Sequence, residues 1–272
     1  MLLTVIVPSH RSFIELNNIY KSFIFQNYPD KRLIIIENGN AIGTCSKYNI
    51  KATAVISSEH SKAIAFNTGL EWLRNNGGGP WVAWDDDDYY GPNYLTEVSL
   101  NLKNFDVIGK SSIYVRRNDG RLWLIERNGW PLGHSFAGWS DCCDFKHFRK
   151  WGEDDCFLMD MIKNGAKIGN ISSNHFIWQR SGDLSKHIWP ANDEQMVQIL
   201  TSYDRENSKI IDYGYLTDYE LINNPNYKLK GTEIIIPKFN PLNVPGIPDN
   251  FKNLFKNVNV ERHTGNNTNK FF

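Results

Sequence analysis

The chain has 272 residues, enough for one large domain or for one domain with an extension. Lys plus Arg and Asp plus Glu both number 30, and this zero net charge gives no broad electrostatic footprint for nucleic acid and no support for a nucleic-acid acceptor. Four cysteines form no CxxC pair and no stretch approaches the ~20 apolar residues of a membrane span, so the expectation is a reduced, cytoplasmic protein with no zinc site and no stable membrane insertion.

Leu2 to Val7 is a continuous apolar, β-branched run, the mark of a strand buried on both faces. It is too short for the apolar region of a signal peptide and has no basic segment before it. Pro8-Ser9-His10-Arg11 ends the run. Ser12 and Glu15 form a capping box, and Phe13, Leu16, Ile19 and Phe23 recur at helical spacing. Arg32 to Ile36 is a second buried strand ending at Glu37-Asn38, and Thr53 to Ser57 a third, weaker one. Ser61 to Asn76 reads as a helix stopped by Gly77-Gly78-Gly79-Pro80. Pro80 to Trp84 is then a short buried strand running into Asp85-Asp86-Asp87-Asp88, with a helix from about Pro92 to Leu102. Alternating strands and helices imply a parallel sheet with helices on both faces and right-handed crossovers.

After residue 105 the rhythm changes. Phe105 to Gly109, Ser111 to Val115 and Arg121 to Ile125 read as strands, with Asn118-Asp119-Gly120 as a hairpin turn. Gly133 to Trp139 is irregular or a short strand, and Asn128 to Ser140 is where a mobile acceptor loop is expected. Glu153 to Asn164 is a helix with Gly165 as its stop, followed by strands at Lys167 to Ile171 and His175 to Gln179. Trp189 to Glu206 reads as a long helix and Glu233 to Pro237 as a strand. Residues 207–272, rich in Asn, Pro and Tyr, are expected to pack on the domain, cover the acceptor site or make a homodimer.

Four adjacent carboxylates repel one another, and such a cluster persists most simply around a divalent cation. The alternative is an acidic surface turn. Position favours the site, because ligands of open α/β sheets collect at the carboxyl ends of strands. A second acidic group, Glu153-Asp154-Asp155, opens a predicted helix, where the helix dipole alone also favours acids.

Three segments in order, Thr4-Val5-Ile6-Val7-Pro8-Ser9-His10, then Lys62-Ala63-Ile64-Ala65-Phe66-Asn67-Thr68-Gly69-Leu70 leading to the four acids, then Trp151-Gly152-Glu153-Asp154-Asp155, resemble the family 2 nucleotide-sugar glycosyltransferases of GT-A fold. The resemblance covers roughly residues 1 to 190. It implies an α/β domain over residues 1–206 with a Rossmann-like, mostly parallel central sheet flanked by helices, its nucleotide-binding half at 1–104 and its acceptor half at 105–206. It implies metal-dependent, inverting transfer from a nucleotide-sugar, a UDP-sugar first, to a hydroxyl on a glycan, a protein or another acceptor, with Mn²⁺ or Mg²⁺ as cofactor.

The resemblance also assigns residues. Asp85 is to address the ribose and, with Asp87, the metal, Asp86 is to line the nucleotide site and Asp88 to contact the sugar or support the metal ligands; Asp86 with Asp88 is the alternative register. Pro8, Ser9, His10, Glu37, Lys62 and Asn67 are to line the nucleotide pocket, Glu37 standing where the family often has a uracil-reading Asp. Asp154 is to be the base, with Glu153 bonded to donor or acceptor and Asp155 in reserve. A late His ligand is expected at His187 or, second, at His175. Two other readings remain open at this point: a nucleotidyltransferase of related fold, which lacks its Gly-rich basic loop here, and a catalytically silent carbohydrate- or partner-binding module.

Overall fold

The computed structural model describes residues 1–11, 13–57, 61–126, 131–145, 153–179, 209–213, 215 and 232–234. They fall in a compact unit spanning Met1–Ile236. The first half runs β1 (Leu3–Ser9), α1 (Phe13–Ile24), β2 (Lys31–Glu37), α2 (Thr44–Lys47), β3 (Thr53–Ile56), α3 (Lys62–Asn75) and β4 (Pro80–Ala83). After the acids come β5 (Tyr89–Tyr90), α4 (Tyr94–Asn101), β6 (Val107–Lys110), β7 (Ile113–Arg116), β8 (Leu122–Glu126) and β9 (Leu132–Trp139). α5 (Glu153–Lys163), β10 (Ile168–Ile171), β11 (Phe176–Gln179), β12 (Lys209–Asp212) and β13 (Thr232–Ile234) follow.

The central sheet has seven strands in the order β10-β6-β9-β4-β1-β2-β3. All its pairings are parallel except the two made by β9. Side-chain alternation divides the core in two. Val5, Val7, Leu33 and Ile35 pack under Leu16, Ile19 and Phe23 of α1 and Leu95 and Val98 of α4. Ile6, Ile34 and Ile36 pack against Phe66 and Leu70 of α3, in a cluster that also holds Phe157 and Leu158 of α5. Continuous Val/Ile runs in β1 and β2 follow from burial on both faces.

β9 meets the short-strand alternative for Gly133 to Trp139 and corrects the expectation of a mobile loop over that part of Asn128 to Ser140. It is an eight-residue strand between β4 and β6. Its weak strand signal goes with tight packing: a Cβ on Gly138 would lie 3.0 Å from Cζ2 of Trp81 and 3.2 Å from the Asp106 carbonyl oxygen, a close approach that favours glycine. A second, six-stranded sheet, β13-β12-β8-β7-β11-β5, carries β12 in a region with no strand signal. The predicted helix at 189–206 lies outside the described residues.

Lys110, fully buried, ties this second sheet to the first. Its Nζ donates to Glu97 Oε2 at 2.8 Å, to the carbonyl of Asn174 at 2.9 Å and to that of Ser172. These contacts fix the chain that enters β11. Lys110→Met should lower stability by about 3–5 kcal/mol, read as a shift of the urea midpoint, because Glu97 and two carbonyls lose their cation in a closed site.

Candidate active site

From β1 the chain crosses to β2 and β3 on one side and later returns to β4 on the other. The crevice of such a sheet opens where the order reverses, at the carboxyl ends of β1 and β4. Ser9, His10 and Arg11 leave β1 there, and Asp85 to Asp88 leave β4 beside them. The acid turn is held from below by aromatics. Trp84 stacks on Tyr90 with centroids 4.1 Å apart, and the Asp85 N–H donates to Tyr90 Oη at 2.7 Å. Buried Gln26 clamps the exit, donating to the carbonyls of Tyr90 and Gly91 at 3.2 and 2.8 Å and accepting the Leu95 N–H at 3.1 Å.

The four carboxylates do four different things. Asp86 turns into the protein, where Ser9 Oγ donates to Oδ2 at 2.5 Å and Arg11 Nε lies 2.9 Å from Oδ1. Burial pushes its carboxyl up to about 7, with Arg11 and Ser9 pulling the other way. Asp87 meets Arg11 Nη2 at 2.7 Å. Asp85 meets Lys62 Nζ through both oxygens, at 2.7 and 2.8 Å. Asp88 is only 6% exposed; one oxygen accepts the Gln179 N–H at 2.9 Å, and Oδ2 is buried with no hydrogen-bond partner among the described residues. Burial first, then Asp87 and Asp85, holds Asp88 well above the usual carboxylate range.

Asp85, Asp87 and Asp88 each bring an oxygen to within 4.8 Å of the others. Three hard oxygens and an orphaned buried carboxylate oxygen suit Mn²⁺ or Mg²⁺, because a divalent cation removes the repulsion that makes this turn costly. The grouping holds Asp85 and Asp87, the pair preferred from the sequence, and adds Asp88 from the alternative register, whereas Asp86 turns to Ser9 and Arg11. His175 does not join it. Phe176 pairs with Tyr90 in β5, so His175 stands against Gly91, at the opposite end of β11 from Gln179 and Asp88. Those ends are roughly 13 Å apart by strand rise. His175 Nδ1 is buried with no hydrogen-bond partner among the described residues, and burial lowers the imidazole's pKa, consistent with a neutral ring. His187 lies outside the described residues.

The expected nucleotide-pocket residues divide as well. Pro8 and Ser9 close β1, and His10 is exposed beside them. Glu37 is buried, its two oxygens accepting the N–H groups of Gly43 at 2.8 Å and Cys45 at 2.7 Å. It holds the N-terminal end of α2, which engages the acceptor capacity expected to read a uracil. Asn67 makes two hydrogen bonds with the backbone of Phe145: Nδ2 donates to its carbonyl at 2.7 Å and Oδ1 accepts its N–H at 2.8 Å. Phe145 in turn stacks on Phe157 of α5 at 4.1 Å and 3°. Asn67 therefore ties α3 to the segment packed on α5.

Glu153, Asp154 and Asp155 occupy the first turn of α5. A Cβ built on Gly133 would overlap the Asp154 carboxyl group, so that carboxyl lies directly on the backbone of β9. β9 is antiparallel to β4, and its beginning, with Gly133, reaches the edge where β1 and β4 end. Residue-by-residue sequence reading missed Arg11 and Gly133. Arg11 had a signal, being the one base in the turn that faces four acids; Gly133 had none, because its role is to be absent at one point in space.

No family model matches the chain, and no curated protein sequence does. Solved structures similar to it include mannosyltransferase PcManGT from Pyrobaculum calidifontis in complex with GDP-Man and Mn²⁺, at 13% identity and TM-score 0.48, over 74% of this chain and 60% of that one. Another is a fragment of S. aureus TarS in complex with UDP-GlcNAc, at 16% identity and TM-score 0.48, over 76% of this chain and 67% of that one. A third is glucosyl-3-phosphoglycerate synthase from Mycobacterium tuberculosis with Mn²⁺, UDP and phosphoglyceric acid, at 14% identity and TM-score 0.49, over 74% and 78% of the two chains. The chain thus spans about 60% of the length of the first of these. No helix among the described residues is long and apolar enough to cross a membrane.

Proposed function

We propose that this protein is a metal-dependent, inverting glycosyltransferase that moves a sugar from a nucleotide-sugar, a UDP-sugar first, to a hydroxyl acceptor on a glycan, a protein or another molecule. The observation that carries the reading is the Asp85, Asp87 and Asp88 cluster at the switch point, with Asp88 Oδ2 buried and unpartnered. A divalent cation held there would supply charge neutralisation to a diphosphate leaving group. Ser9 and Arg11 brace the turn through Asp86. Asp154, on the other side of β9, is assigned to take the acceptor proton at its carboxylate. Glu153, beside it in the same turn, is assigned to hydrogen-bond sugar or acceptor, and Asp155 stands in reserve as the base.

The test is a panel of UDP- and GDP-sugars incubated with the protein and Mn²⁺ or Mg²⁺, scored for donor hydrolysis and for metal-dependent protection against thermal unfolding. Hydrolysis of one donor that stops in EDTA is the expected result. A protein that binds no nucleotide in either metal is a binding module of another kind, and diphosphate-forming exchange with a nucleoside triphosphate would make it a nucleotidyltransferase.

Gly133 offers a narrower test. Gly133→Ala should lower transfer by about 10²-fold while leaving nucleotide affinity within about twofold, because the atoms nearest the added methyl group are those of the Asp154 carboxyl group, which it would displace. Calorimetry with UDP and Mn²⁺ beside a transfer assay separates the two effects.

A further inference from the structure

The acid cluster is not an empty set of ligands in the protein as folded. Of its three carboxylates, Asp85 is gripped through both oxygens by Lys62, and Asp87 is held by Arg11 Nη2 at 2.7 Å. Asp88 Oδ2 is buried with no hydrogen-bond partner among the described residues. A divalent cation entering this group meets two positive side chains already bound to the same carboxylates, a few ångströms away and partly shielded from solvent. At that range like charges conflict strongly.

We propose that Lys62 and Arg11 are exchangeable counter-ions, which hold Asp85 and Asp87 in the metal-free protein and move onto the nucleotide diphosphate when a divalent cation enters. The inference rests on the metal-dependent reading above and assigns Arg11 a donor-binding role. The two cations are built differently for the exchange. Lys62 is the first residue of α3 and its side chain is 29% exposed, so the whole ammonium can swing. Arg11 is 16% exposed and its Nε forms an ion pair with Asp86 at 2.9 Å without a well-directed hydrogen bond, so the guanidinium can turn there and release Asp87 from Nη2. Both leave from the carboxyl edge of the sheet, where a diphosphate bridged by the cation would lie. An anionic diphosphate then gives the displaced charges a new partner. Metal and nucleotide binding become coupled beyond what direct metal–phosphate contact supplies.

The sign of one measurement decides the matter. Mn²⁺ binding to the full chain is titrated by the electron paramagnetic resonance signal of free Mn²⁺, with and without UDP or GDP, for the unaltered protein, Lys62→Met and Arg11→Met. Without nucleotide, both variants should bind Mn²⁺ about tenfold tighter than the unaltered protein. The tightening by nucleotide should shrink by a similar factor. Weaker or unchanged Mn²⁺ binding in the variants overturns the exchange and makes the two cations fixed braces. Should Arg11→Met unfold, leaving buried Asp86 without its counter-ion, Lys62→Met decides alone, because its partner Asp85 is partly exposed. If the unaltered protein binds no Mn²⁺ under any condition, the metal-dependent reading itself falls, which is a separate outcome.

Discussion

Asp154→Asn is expected to lower sugar transfer by about 10³-fold while leaving Mn²⁺-dependent UDP binding within about twofold. The change removes proton affinity and keeps shape. Asparagine has the volume of aspartate and fits the same space against Gly133, where the carboxyl has no room to spare. The helix around it should survive, because Glu153 and Asp155 still place negative charge in the first turn of α5. A structural acid would behave otherwise: its loss would lower the melting temperature and leave turnover of the folded fraction intact. Turnover per active site, with the folded fraction measured by circular dichroism, distinguishes these cases. Asp155→Asn is the matched comparison, expected to stay within about tenfold, and a reversal of the two would move the base by one residue.

Much of this architecture is legible in the sequence, and the reasons are local. β1 and β2 are Val/Ile runs because both faces are buried, and their helices carry apolar residues at helical spacing. The acid turn is legible because four like charges in a row have no cheap structural explanation. What escaped is set by distant parts of the chain. β9 contains two glycines and no β-branched residue, yet it is central, because Trp81 and Asp154 need the space that side chains would fill. β12 pairs with β8, far away in sequence, and lies among turn-forming residues. Glu37 stands at a strand end as a base-reading acid would, but the loop at Gly43 and Cys45 folds back to bond both its oxygens. Which acids form a group was the least legible feature. It depends on Ser9 and Arg11 drawing Asp86 inward, so that the next two residues face Asp85 instead.

That division of labour among the acids makes its own prediction, in which stability and activity move in opposite directions. Asp88→Asn should raise the melting temperature in EDTA by about 2 °C or more and should cut Mn²⁺-dependent transfer by about 10³-fold. In the metal-free protein, Asp88 is a carboxylate almost without solvent, and burial with Asp87 and Asp85 beside it disfavours its charge. Asparagine removes that charge, keeps an oxygen to accept the Gln179 N–H, and can donate to a neighbouring carboxylate where Oδ2 has no partner among the described residues. Metal affinity should fall with the lost ligand charge, so added Mn²⁺ should stabilise the unaltered protein far more than the variant. Asp86→Asn should do the reverse. Its carboxylate is tied to Ser9 and Arg11 within the protein, so the variant should lose stability and retain more Mn²⁺ binding than Asp88→Asn does. A turn that had merely accumulated acids would give the same answer at both positions.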